Sequence, residues 1–143
     1  MSEIKRGVIR FLGYRIVKVN YDCSPDFEFE EGTLRFNFQK CLIPVDEKSI
    51  QINLSTNVFF AINEKDDEFD KSPYRFSIEI AGRFDSEEKW QDGWETNALA
   101  ILFPYIRAIV SSISAQSGRD PIILPTINIA QMFNKNESTE SSP

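Results

Sequence analysis

Histidine is absent from all 143 residues of this sequence. Its absence removes the usual general base, the usual metal ligand and every Ser-His or Cys-His nucleophile. Cysteine occurs only as Cys23 and Cys41, which is too few for a disulfide framework, and the amino terminus lacks the apolar core of a signal peptide. The sequence therefore predicts a cytoplasmic protein that is not an enzyme and uses no cofactor.

Long apolar runs and excess positive charge are also missing. No stretch reaches the roughly 20 apolar residues that span a bilayer, so we expect no membrane insertion. The 22 acidic residues outnumber the 16 basic ones and give a formal net charge of -6, which argues against nucleic acid as a partner. Aromatic side chains make up 13% of the chain, which favours apolar contact with a protein or a small molecule.

Four segments show the two-residue alternation that is typical of strands. They are residues 8–21, 33–43, 49–60 and 74–84, of which the last two alternate most clearly. Charged and turn-forming stretches separate them, which favours a meander of consecutive antiparallel strands with one face exposed to water. Gly13 interrupts the alternation of the first segment and predicts a β-bulge there.

Helical spacing replaces alternation after residue 85. We expect a helix that is capped by Thr96 or Asn97 and ends near a left-handed Gly118. Its sheet-facing arc consists of Leu99, Leu102, Phe103, Ile106, Val110 and Ile113. Pro104 predicts a kink if the helix starts near Thr96 or Asn97, and costs little if it starts near Phe103.

The opposite side of this helix lacks charge as well, since Arg107 is the only charged residue between positions 99 and 116. A helix that is apolar nearly all round is buried on both sides, and one sheet covers only one of them. We therefore expect oligomerisation through the outward side. The interface candidates are Ile101, Tyr105, Ala108, Ser112 and Ala115.

The carboxyl-terminal part reads as a crossover followed by a short helix. Pro121 and Pro125 flank an apolar triplet, and a short amphipathic stretch from Ile127 to Phe133 follows them. Residues 136–143 are polar and predict a disordered tail, which leaves a single domain over residues 1–135. The predicted fold class is α+β, with a four-stranded antiparallel sheet covered by one long helix and a short C-terminal helix.

Residues 97–133 carry an ordered set of motifs. The first is Asn97, and the second is a Leu-Phe-Pro-Tyr-x-Arg helix motif at residues 102–107. Gly118 comes next, and it is followed by a crossover with Pro121 and Leu124 and by a Pro-x-Asn turn with Pro125 and Asn128. In order and spacing this stretch resembles the signature region of SecB, the bacterial export chaperone. The resemblance implies the fold given above and a homotetramer built as a dimer of dimers.

The resemblance also implies a function. SecB-type proteins are ATP-independent holdase chaperones that bind unfolded polypeptides or preproteins in apolar grooves, and many deliver preproteins to SecA. Some SecB-like relatives instead protect antitoxins, so a partner-specific binding protein of a toxin-antitoxin system is the alternative. Lys18 stands where the export chaperone has an acidic residue that docks SecA, which weakens the expectation of SecA as a partner.

A polypeptide-binding groove is expected beside the long helix and beneath the crossover. Its candidate residues are Trp90, Trp94, Tyr105, Ile122, Ile123, Leu124, Ile127, Met132 and Phe133. The two tryptophans are the strongest candidates because they stand in an acidic connector, where core packing calls for no large aromatics. For each of the others, ordinary core packing is the competing interpretation. The acidic runs 28–31 and 64–70 lack the spacing of a calcium loop, so no metal site is predicted.

Overall fold

The computed structural model of the chain describes residues 9–29, 32–61 and 69–126. Its elements are strands β1 (Ile9–Cys23), β2 (Thr33–Asp46), β3 (Ser49–Ala61) and β4 (Tyr74–Ser86), a 3-10 turn at Phe69–Lys71, and helix α1 (Trp94–Ala115). The four strands form one antiparallel sheet, and α1 packs on it. The predicted α+β class is thus confirmed, while the short C-terminal helix and the polar tail lie outside the described residues.

The strand order in the sheet is β1-β4-β3-β2. The prediction of a meander is correct for β2, β3 and β4 but wrong for β1, which pairs with β4 at the far edge. To reach β2, the chain after Cys23 must pass across the ends of β4 and β3. The connection carries Phe27, whose ring is buried between Phe60 of β3 and Tyr74 of β4. Burial of this ring favours the crossing over a short hairpin.

Strand register divides the sheet into an inner face beneath α1 and an outer face. The inner rows of β3 and β4 are buried, as at Ile52, Leu54 and Ile80, while most of their outer neighbours are polar. The register of β1 shifts between Phe11 and Gly13 and again after Ile16. Gly13 has φ 114°, a conformation that favours glycine, so the predicted bulge is confirmed.

Helix α1 starts at Trp94, two or three residues before the predicted cap at Thr96 or Asn97. The amide of Trp94 donates to the carbonyl of Gln91 at 3.0 Å, which closes a turn and begins the helix early. Glu95 in the first turn forms an ion pair with Lys40 on the inner face of β2. A carboxylate is favourable at this end of a helix because of the helix dipole, so backbone and charge together override the capping preference.

Pro104 is therefore an interior residue of α1, and the helix continues through it to Ala115. A proline has no amide hydrogen, so the carbonyl of Ala100 loses its partner one turn earlier. Both residues are exposed to solvent, where water satisfies that carbonyl. Gly118 has φ 88° and follows the helix end as the left-handed residue that was expected.

The helix approaches the sheet closely at Gly82 on β4. A Cβ atom built there would lie 2.5 Å from Cδ2 of Leu102, a contact that no real Cβ shows. Glycine therefore lets Leu102, which is fully buried, reach the backbone of the sheet. By length and composition α1 is apolar enough to cross a bilayer, but in the structure one of its sides forms the core.

Candidate functional site

Residues 119–126, here called the crossover, run back along α1 after the helix ends. Three side chains of the helix hold its backbone. Ser114 Oγ accepts from the amide of Ile122 at 2.7 Å, Ser111 Oγ donates to the carbonyl of Ile122 at 2.9 Å, and Arg107 Nε donates to the carbonyl of Leu124 at 3.1 Å. The polar residues of α1 thus fix a segment that has no regular secondary structure of its own.

This anchoring decides which crossover side chains are accessible. Ile122 and Leu124 are each 2% exposed and belong to the core, whereas Ile123 between them is 68% exposed. Burying one alternate pair of an extended segment turns the residue between them outward. Of the three apolar residues predicted to bind polypeptide in this segment, only Ile123 faces solvent.

An aromatic cluster lies where the connection from β1 to β2 crosses the sheet. It consists of Tyr21, Phe27, Phe29, Phe60 and Tyr74. The ring of Phe29 stands 4.9 Å from that of Tyr74 and is 38% exposed, although Phe27 beneath it is buried. The cluster therefore combines a rigid aromatic floor with a partly open aromatic side chain, which suits contact with apolar side chains of another polypeptide.

Arg119 joins the crossover to this cluster. Its guanidinium carbon lies 5.5 Å from the centroid of the Phe27 ring, within the range of a cation–π contact. The same side chain lies 4.0 Å from a carboxylate oxygen of Glu28 and 3.5 Å from the carbonyl oxygen of Pro25. The crossover and the aromatic cluster consequently form one continuous surface, which we call the aromatic surface.

Two tyrosine hydroxyls lie within the aromatic surface. Within the described part of the chain, neither the Tyr21 nor the Tyr74 hydroxyl makes a hydrogen bond of ordinary geometry, and both oxygens are buried. Burial, with the neighbouring Tyr21 as the second cause, raises the pKa of Tyr74 far above its usual value. The Tyr74 hydroxyl is therefore neutral across the physiological pH range.

The predicted tryptophans lie at the other end of α1. The rings of Trp90 and Trp94 meet edge to face at 5.3 Å, and Trp90 also lies 6.5 Å from Phe84. Thirteen residues of helix separate Trp94 from Arg107, the crossover anchor nearest to it, which corresponds to about 20 Å at 1.5 Å per residue. The structure thus separates the two parts of the groove that the sequence placed together.

The outward side of α1 holds the predicted interface residues. Tyr105, Ala108, Ser112 and Ala115 are exposed and Ile101 is half-buried. Tyr105 is 39% exposed and packs against Phe11 and Tyr14 of β1 at 5.4 and 4.9 Å. This side is uncharged, no residue of the described ranges covers it, and it continues onto β1.

Three predicted groove residues, Ile127, Met132 and Phe133, lie outside the described residues. The sequence reasoning in turn missed Phe27 and Phe29, which form the centre of the aromatic cluster. A signal was present, because the stretch "DFEFEE" alternates aromatic and acidic residues. Because this stretch carries four carboxylates, it was interpreted as a solvated loop. In the part of the chain that the structure describes, no group of three potential metal ligands comes together.

The chain is similar to several known proteins. The family model described as preprotein translocase subunit SecB matches residues 30–140. An uncharacterized protein of Methanocaldococcus jannaschii is 36% identical over 66% of this chain and 76% of its own length. The protein-export protein SecB of Orientia tsutsugamushi, strain Boryong, is 26% identical over 67% of this chain and 59% of its own length.

Among solved structures, a SecB-like chaperone of Mycobacterium tuberculosis, in complex with a ChAD peptide from the HigA1 antitoxin, matches with a TM-score of 0.65. The alignment covers 83% of this chain and 90% of that chain at 16% identity, which establishes a common fold. The chain spans less than two thirds of the length of the Orientia proteins, at 59% and 57%.

Proposed function

Because the chain belongs to the SecB family, we propose that it is an ATP-independent holdase chaperone that binds unfolded polypeptides or preproteins on the aromatic surface. The observation that carries this proposal is the partly exposed Phe29 over a buried aromatic floor, on a surface that Arg119 connects to the crossover with its exposed Ile123. Holding a client in this way requires apolar contact and no catalysis, and it delays aggregation by mass action. A cytoplasmic location belongs to the same proposal.

The proposal is supported by the contrast between a buried, fixed aromatic floor and the exposed apolar side chains that project from it. The floor residues Phe27 and Tyr74 are fixed by ring contacts of 5.0 to 5.2 Å, so clients meet a preformed surface. Phe29 and Ile123 project from this floor and expose apolar surface to solvent. Such exposure does not stabilise the folded protomer, which is typical of a binding surface.

Suppression of aggregation tests the proposal. Guanidinium-denatured rhodanese is diluted into buffer without nucleotide, and light scattering is followed against increasing protein. We expect the wild type to suppress scattering at stoichiometric concentrations, and the double variant Phe29→Ser/Ile123→Ser to need a severalfold higher concentration. Unchanged scattering with excess wild-type protein would refute the holdase function.

A matched control removes two exposed apolar side chains elsewhere. Ile43 and Val45 are 40% and 45% exposed near the end of β2, away from the aromatic surface. The variant Ile43→Ser/Val45→Ser is expected to suppress aggregation as well as the wild type does. Equal losses in both double variants would mean that general surface hydrophobicity, and not the aromatic surface, holds the client.

A partner-specific binding protein is the second candidate, for example an antitoxin chaperone in a toxin-antitoxin system. The observation that favours it is Lys18, which lies on β1 opposite Glu79, where the resemblance to the export chaperone calls for an acid that docks SecA. Affinity capture from the native host separates the two. One dominant co-purifying protein supports the specific role, and a broad set of precursors together with SecA supports export.

A homotetramer, as a dimer of dimers, is part of the proposal. It is supported by the exposed and uncharged outward side of α1. Light scattering coupled to chromatography is expected to give about four times the protomer mass of 16.5 kDa. The variant Ala108→Glu places a charge in the centre of this side and should reduce the mass, whereas Lys89→Glu, which lies in the exposed connector outside it, should not. A wild-type monomer would refute the interface.

A further inference from the structure

The outer face of the sheet carries most of the charged side chains of the strands. Strand register arranges them in rows that run across the sheet from β1 to β4 and β3. In the row nearest the beginning of β1, Arg10 donates two hydrogen bonds to the carboxylate of Asp85, at 2.8 and 3.0 Å. In the row at the opposite end, Arg75 pairs with Asp22 at 3.3 Å. The charges of both end rows are therefore neutralised within the chain.

Arg83 lies in the row that follows the Arg10 row, and Arg15 lies in the row after that. Unlike Arg10 and Arg75, these two arginines have no acidic partner in their rows. Both are exposed, and no residue in the described ranges forms a hydrogen bond or an ion pair with either guanidinium. Arg83 stands opposite Gly13, so Arg15 is its diagonal neighbour, a relation that corresponds to about 7 to 8 Å. The interaction of Arg83 with Asp46 is weak, because Arg83 is the last of the causes that lower the pKa of that carboxyl. Glu79, the acid in the row next to Arg15, accepts a hydrogen bond from the Asn53 amide at 2.8 Å.

Small residues between the two arginines create an open depression of about 570 Å³. Gly13 has no side chain, and nothing lies within 4 Å of the position that its Cβ would occupy. Ala81, opposite Arg15, contributes only a methyl group. The remaining lining residues are Leu12, Tyr14 and Gln51. The result is a shallow floor bordered by two cations that form no ion pair within the described residues, with apolar and amide groups beside them.

We propose that this depression, the arginine depression, binds an acidic segment of a partner polypeptide. Two guanidinium groups present several planar donors and match side-chain carboxylates that lie two residues apart on an extended chain, at about 7 Å. The exposed Leu12 and the amide of Gln51 offer contacts beside the charges, which a small inorganic anion would not use. The net charge of -6 disfavours a nucleic acid on the same arginines.

This site is separate from the aromatic surface. The aromatic surface covers the inner side of the sheet around Tyr74, at the start of β4, and the arginine depression lies on the outer side around Arg83, near its end. A client on the inner side and an acidic partner on the outer side therefore do not compete for the same atoms. The chain accordingly offers a second contact that operates while a client is held.

Fluorescence anisotropy tests the site with a labelled ten-residue peptide of alternating Glu and Ser and its Gln/Ser counterpart. The wild-type protein is expected to bind the Glu peptide and not the Gln peptide. Arg15→Gln/Arg83→Gln should weaken that binding about tenfold or more through the loss of two charge-assisted contacts. The matched control Arg10→Gln/Arg75→Gln removes the same charge from the same face and should change the affinity less than about threefold, because those groups are already paired.

A third variant separates shape from charge. Ala81→Leu fills the floor and leaves both arginines in place, so it should also weaken binding of the Glu peptide. Circular dichroism and the aggregation assay confirm that each variant is folded and holds client. Equal weakening in both arginine double variants would show a general charge effect and overturn the site. So would equal binding of the Glu and Gln peptides, absence of binding, or full competition by inorganic phosphate at the peptide concentration.

Discussion

The two sides of α1 are equally poor in charge but have different surroundings. On the side towards the sheet, Leu102, Ile106 and Val110 are fully buried. The hydroxyl of Ser114 accepts a hydrogen bond from the crossover. On the outward side, Ala108 and Ser112 are exposed, and Tyr105 covers only part of β1. A missing charge therefore identifies a contact surface in both cases, but only the structure shows which contact is already made within the protomer.

The largest difference between the two sides should appear on truncation of Leu102. Leu102→Ala leaves a cavity above Gly82 and is expected to lower the free energy of unfolding by about 3 kcal/mol. Leu12→Ala is the matched control, since Leu12 is 55% exposed and should cost less than about 1 kcal/mol. Urea unfolding at one fixed protomer concentration measures both. Similar losses would contradict the assignment of Leu102 to the core contact.

The close approach at Gly82 gives the next effect. Gly82→Ala places a methyl group in the space of Leu102 and should cost about 2 kcal/mol through overpacking. In the Leu102→Ala background the same change should cost less than about 1 kcal/mol, because the two residues compete for one space. A double-mutant cycle of unfolding free energies measures the coupling, and additive costs would show that the helix does not rest on this glycine.

The buried hydroxyl of Ser114 should have a smaller effect. Ser114→Ala leaves the amide of Ile122 without its acceptor in a buried place, at a cost of about 1.5 kcal/mol. Ser112→Ala, on the exposed side of the same helix turn, should stay within about 0.5 kcal/mol. Hydrogen exchange at the amide of Ile122 should also become faster in the Ser114 variant. Unaltered exchange would mean that the crossover is held without this bond.

Substitution of Pro104 should give the smallest change in the free energy of unfolding, and it should stabilise the protein where the other substitutions destabilise it. Pro104→Ala restores an amide that can bond the carbonyl of Ala100 on the outward side. After allowance for the greater freedom of the unfolded chain, we expect a gain of about 1 kcal/mol. Thermal and urea unfolding measure it, with the molecular mass recorded alongside. A loss of stability would show that the proline contributes a contact on this side that the helix alone does not reveal.

Much of the fold was predictable from the sequence because periodicity follows directly from burial on one face. The alternation in β3 and β4 and the arc of α1 from Leu99 to Val110 correspond to buried residues in the structure. Strand order was not predictable in this way, because alternation determines which face is buried and not which strand lies alongside. The start of α1 was missed because the turn at Gln91 and the ion pair of Glu95 outweigh a capping side chain.

The site was harder to predict than the fold. Phe27 and Phe29 stand among carboxylates, and local composition does not reveal that their connection crosses the sheet and buries one ring. Ile122, Ile123 and Leu124 read alike in sequence, while their exposure depends on hydrogen bonds from α1, some ten residues earlier in the chain. Trp90 and Trp94 were expected beside them because the sequence does not show how far back along α1 the crossover reaches.

The edge position of β1 has a consequence for how the chain folds. The partners Arg10 and Asp85 are 75 positions apart, so β1 leaves the ribosome long before β4, the strand with which it pairs. Pairings of such long sequence separation form slowly, and an unpaired apolar strand is prone to aggregate while it waits. During its own synthesis, a protein that we propose to bind unfolded polypeptides is therefore itself an incompletely folded chain with an exposed strand.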